Sequence, residues 1–68
     1  MTMTTEDVAK VLMKRDEISH DEAMDLITEC AQAIRDSGYD IIEADSIMSE
    51  YLGLEPDYMF AVLDILPE

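Results

Sequence analysis

Nine consecutive residues near the end of the chain, Tyr58-Met59-Phe60-Ala61-Val62-Leu63-Asp64-Ile65-Leu66, contain a single polar side chain, Asp64. A surface helix is apolar along one stripe, whereas a helix apolar on nearly every side must be buried on nearly every side. Pro56 stands just ahead of the run, where a first-turn proline suits a helix, and Pro67 is placed to stop it. The pattern predicts a helix over 58–66 that the rest of the chain, or a second chain, has to enclose.

A chain of 68 residues has little with which to do so. It forms one domain, 1–68, near the lower limit for an independent core. Small cores of this kind are often stapled or completed by an oligomer. Cys30 is the only cysteine, so no intrachain disulfide can form, and with one histidine the chain lacks the ligands of a structural zinc site. Oligomerisation is the remaining route. A homodimer with 58–66 at or near its interface is therefore expected.

Three amphipathic helices precede the run. Residues 1–4 read as a frayed end. Thr4 or Thr5 can cap a first helix, with Glu6 and Asp7 at its positive end, Lys14 and Arg15 at its negative end, and Val8, Val11 and Leu12 as its apolar stripe. Asp16-Glu17-Ile18 is a connector. Ser19 and Glu22 form a capping-box pattern for a second helix, and Ile18 can staple onto Ala23. That helix carries Ala23, Leu26, Ile27, Cys30, Ala31 and Ile34 on one face and closes at Gly38. Asp40 and Glu43 repeat the cap pattern. Ile41, Ala44, Ile47, Met48, Tyr51 and Leu52 supply the buried side of a third helix ending at Gly53, with Leu54 folding back on Met48. No segment alternates with period two. The fold class is all-α, a compact bundle of four short helices.

Charge is the strongest compositional signal. Seventeen acids oppose four bases, a net charge of −13. Lys10, Lys14, Arg15 and Arg35 all lie in the first 35 residues, against eight acids; residues 36–68 hold nine acids and no Lys or Arg. Such a balance disfavours nucleic acid and anionic membranes as partners and favours a basic protein. The longest uninterrupted apolar stretch is too short to span a bilayer. The N-terminus lacks a basic n-region and an apolar h-region, so no signal peptide is expected. A cytoplasmic location follows as the expectation, and the lone thiol agrees with it.

Motifs for chemistry are poorly matched. Taking Asp36 as the first position of a calcium loop puts Ile41 where glycine belongs and Ile47 where the bidentate glutamate belongs. Glu17-Ile18-Ser19-His20 has the Glu-x-x-His spacing of di-iron bundles, but only one copy is present where two are required. An enzyme would need convergent ligands or an acid–base pair, and no motif supplies either. No catalytic residue, metal or cofactor is therefore assigned. Cys30 is expected as a buried structural thiol. Asp21, Asp25 and Glu29 follow one another at i, i+4, i+8 as an acidic stripe, which serves either as a solvated face or as a recognition face for Lys or Arg. With Tyr58, Met59 and Val62 they form the candidate interaction residues.

Ile18-Ser19-His20-Asp21-Glu22-Ala23 and Tyr51-Leu52-Gly53-Leu54-Glu55-Pro56-Asp57-Tyr58 give the chain a resemblance to small acidic, uncharacterised helical proteins encoded by bacteriophages and prophages of Gram-positive bacteria. It covers 18–66. Glu17 departs from that pattern, standing where a turn-forming glycine is usual. The resemblance implies a bacterial cytoplasmic setting and a phage–host role, and it brings no activity or site residues. The functional expectation is a non-enzymatic acidic interaction module. The alternative is a nucleic-acid mimic that blocks a basic host nuclease or DNA-binding protein.

Overall fold

The computed structural model describes residues 3–66. Helix α1 spans Thr5–Asp16, α2 His20–Asp36 and α3 Ile41–Tyr51; a 3-10 turn at Pro56–Tyr58 then leads into the short helix α4, Met59–Leu63. No strand occurs among the described residues. The all-α class and the four helices are as the periodicity predicts.

The helix starts are written locally. Thr4 accepts from the Asp7 amide at 3.3 Å, and the Asp7 carboxylate accepts from the Thr4 amide at 3.0 Å, a reciprocal box on α1. Thr4 therefore belongs to the helix start rather than to a frayed end; residues 1 and 2 lie outside the described residues. Ser19 caps α2 through the Glu22 amide at 3.2 Å. Asp40 caps α3 by accepting from Ile42 and Glu43 at 2.9 and 3.1 Å.

The helix ends use left-handed residues. Beyond α2, Gly38 (φ 79°) donates to Arg35 and Tyr39 to Ile34, which is the Schellman pairing. Beyond α3, Gly53 (φ 65°) donates to Met48 and Ser49. Beyond α1 the same task falls to Glu17, at φ 55°, ψ 44°. A β-carbon is disfavoured there, so this turn is a strained one.

The chain is organised around α2 rather than the last helix. Ala23, Ile27, Cys30, Ala31 and Ile34 are wholly buried, and α2 packs against α1, α3 and α4. Val8, Ala9 and Leu12 from α1, Ala44 and Met48 from α3, Leu52, and Ala61 and Val62 from α4 complete the core. No polar or charged side chain is buried among the described residues. The Cα radius of gyration, 10.9 Å, matches the value of about 11 Å for a compact chain of this length.

The helix expected over 58–66 is replaced by three short pieces. Only Met59–Leu63 is α-helical; the 3-10 turn precedes it, and Ile65 and Leu66 donate to Val62 and Leu63 in tight i→i−3 bonds. One continuous helix would direct apolar side chains around its whole circumference, while the three longer helices offer one concave side. Breaking the run lets Tyr58, Leu63, Ile65 and Leu66 each lean on the core, half-buried. Phe60 still faces outward at 78% exposure. The stop expected at Pro67 lies outside the described residues.

Two positions on the buried side expected for α3 also differ. Ile41 is 76% exposed and Tyr51 43%. Both lie at helix ends, where the stripe continues in sequence but no neighbouring element covers it. Leu54 is half-buried against the core, as a hydrophobic contact after a glycine cap requires.

Candidate interaction surface

The acidic stripe on α2 is exposed: Asp21, Asp25 and Glu29 all face solvent. Of the three apolar residues expected to join it, one is not at the surface. Val62 has no exposed area, which removes it from any surface and makes it a core residue. Tyr58 and Met59 are half-buried against that core. Apolar side chains in a run with no polar alternation settle inward as soon as the fold offers them a place, and Val62 sits on the face of α4 that α1 and α2 cover.

Histidine and the N-terminal acids are engaged with one another. His20 Nε2 lies 2.9 and 3.1 Å from the two Glu6 carboxylate oxygens, linking the starts of α1 and α2. Glu17 is in the left-handed turn, so the Glu-x-x-His spacing crosses a helix boundary rather than following one helical face. Asp40 is used as a cap. Among the described residues no three His, Cys, Asp or Glu side chains converge in a geometry that would hold a metal ion.

The concave features are shallow. One groove along the flank of α2, of about 230 Å³, is lined by Glu29, Gln32, Ala33, Asp36 and Tyr51. A second, on α3, is lined by Asp45, Ser46, Ser49 and Glu50. Both are open to solvent and lined largely by polar side chains, unlike the enclosed apolar clefts that hold small molecules.

Cys30 lies in the core with its Sγ 3.7 Å from Met48 Sδ. Burial pushes the thiol up to about 11. A nucleophilic cysteine needs the opposite shift and access to solvent. The geometry makes Cys30 a packing residue.

What the spacing of apolar residues did not single out is the exposed cluster at the start of α3. Tyr39, Ile41 and Ile42 are 55%, 76% and 79% exposed. In sequence, Ile41 fits the stripe with Ala44 and Met48. The available signal was positional: Ile41 is the first helical residue, one turn beyond the deepest packing. From residue 36 to residue 66 the charge is of one sign. Asp36, Asp40, Glu43, Asp45, Glu50, Glu55, Asp57 and Asp64 are all exposed. The ion pairs among the described residues, Arg15–Asp16 and His20–Glu6, involve none of them.

No helix among the described residues is long and apolar enough to cross a membrane. No protein-family model matches the chain, and neither a characterised protein nor a solved structure is similar enough to count as a relative.

Proposed function

We propose that the chain is a non-enzymatic interaction module whose acidic half docks on a basic patch of a protein partner. The observation that carries this reading is the coincidence, within residues 36–66, of eight exposed carboxylates, no Lys or Arg, and exposed Ile41 and Ile42. Charge of one sign sets encounter rate, salt sensitivity and the exclusion of wrong partners. Desolvated apolar anchors supply affinity. A bacterial cytoplasmic setting with a phage–host role, implied by the sequence resemblance, belongs to the same reading.

A homodimer with 58–66 at or near its interface remains part of this proposal, with Phe60, 78% exposed, as the apolar side chain that α4 offers a second copy. The narrower reading, a nucleic-acid mimic, is favoured by the same unbroken acidity; it requires the carboxylates to compete with duplex DNA for a basic DNA-binding protein.

Titration with oligolysine tests the central claim. Binding at low ionic strength that weakens steadily as salt is added supports it, because exposed charges are screened over about 8 Å at physiological salt. Absence of binding at low salt, or binding indifferent to salt, sinks it.

A further inference from the structure

We infer that the first turn of α3, with Tyr39 ahead of it, is the docking face for a basic amphipathic segment of another protein. This rests on the proposed acidic interaction module and names its partner class. Three nearly consecutive large side chains, Tyr39, Ile41 and Ile42, stand out from a core that is complete without them. They lie on a turn already fixed by the backbone: Tyr39 donates to Ile34 at 3.1 Å and Asp40 ties down the amides of Ile42 and Glu43. Little ordering is left for binding to impose.

Charge decides the occupant. Asp45 stands one helical turn from both Ile41 and Ile42, so each apolar anchor has a carboxylate as its neighbour on the same helix side. Asp36 and Glu43 are exposed on either side in the sequence, and Asp40 is at the cap. Arg35, in the last turn of α2, is the only Lys or Arg of the α2–α3 hairpin. A surface that alternates Ile with Asp and Glu is complementary to one alternating apolar residues with Lys or Arg. A second copy would bring the same carboxylates onto themselves, and an anionic membrane would be repelled. A basic protein segment satisfies both components at once.

The test compares two synthetic peptides of equal positive charge, an amphipathic Leu–Lys helix and oligolysine, followed by amide NMR shifts. The amphipathic peptide is expected to bind about tenfold or more tightly than oligolysine, because apolar anchors carry most interface affinity. Its shifts should centre on residues 39–45. Ile41→Ser with Ile42→Ser should reduce its affinity to that of oligolysine, with the helical circular dichroism unchanged. Phe60→Ser, which removes an exposed apolar side chain on α4, should leave affinity unaltered. Equal affinity of the two peptides, or shifts centred on Asp21, Asp25 and Glu29, would overturn the docking face while leaving the acidic-module reading intact. Binding of neither peptide would remove both. Shifts at 39–42 that grow with protein concentration alone would assign the face to a second copy and overturn the inference.

Discussion

The guanidinium of Arg15, at the end of α1, closes the end of α3 by donating to the carbonyl of Gly53 at 3.3 Å and to that of Leu52. Asp16 holds it there, accepting from Nε at 3.0 Å and from Nη2 at 2.9 Å. The last carbonyls of a helix have no intrahelical donor, and a cation beside them also meets the negative end of the dipole. Helices α1 and α3, which otherwise meet mainly through α2, are thus joined at one corner. A β-carbon on Gly53 would stand 3.4 Å from Arg15 Nη1, in contact without a clash, so it is the φ of 65° rather than space that calls for glycine there.

Arg15→Ala is therefore expected to lower stability by about 0.5–1.5 kcal/mol, as for a partly exposed hydrogen-bonded cap. Arg15→Lys should recover only part of this, because an ammonium cannot reach two carbonyls and a carboxylate from one plane. Urea midpoints of the three proteins measure it. Full recovery by lysine would mean that only the charge matters.

Glu17 holds a left-handed conformation at φ 55°, with its side chain exposed to solvent. Glu17→Gly removes the β-carbon conflict, offset in part by the greater freedom of glycine in the unfolded chain. A net gain of about 0.5–1 kcal/mol is expected. For so small a domain this corresponds to a rise in melting temperature of roughly 2–8 °C. A fall instead would show that the Glu17 side chain makes a stabilising contact in solution.

The parts of this fold that were legible in sequence are those fixed within a few residues. Thr4, Ser19 and Asp40 cap helices because a short side chain reaches amides two or three residues on, and Gly38 and Gly53 end them because φ is positive. What was not legible depends on who covers whom. The run 58–66 is apolar enough for a central helix, yet α2 takes the centre because it is longer and presents small Ala23, Cys30 and Ala31 to its neighbours, letting them approach closely. Val62 and Ile41 exchange roles for the same reason: local spacing makes both apolar, and only the packing of α1 and α2 buries the first and leaves the second in water.

The box at the start of α1 has a pH signature. The Thr4 amide holds the Asp7 carboxyl below its ordinary 3.8; desolvation opposes it, and the Thr4 hydroxyl and Lys10 add smaller lowering effects. A carboxyl whose folded value is depressed contributes stability that is full above the unfolded value and is lost as pH falls through the folded one. The expectation is a loss of helix-start stability below pH 3.8, with Asp7→Asn lacking that component. Carboxyl carbon shifts of Asp7 against pH check this directly: a midpoint at or above 3.8 would contradict the reciprocal box.

Cys30 and Met48 face one another across the α2–α3 contact, sulfur to sulfur at 3.7 Å. Burial raises the thiol from 9.0 to about 11, so the folded chain keeps a proton that the unfolded chain loses. That contribution is complete below pH 9.0 and disappears as pH rises through about 11. At neutral pH, Cys30→Ala should cost about 1–2 kcal/mol through the lost sulfur contacts and the small cavity left in the core. Above pH 9.0 the variant should lose less stability with rising pH than the parent chain, narrowing that gap. Alkylation by iodoacetamide at pH 8 gives a second readout: reaction in the native state should be limited by unfolding, and urea should accelerate it in step with the loss of helical signal. Rapid alkylation of the fully folded chain would show that the α2–α3 seam opens on its own, and the central place given to α2 would have to be withdrawn.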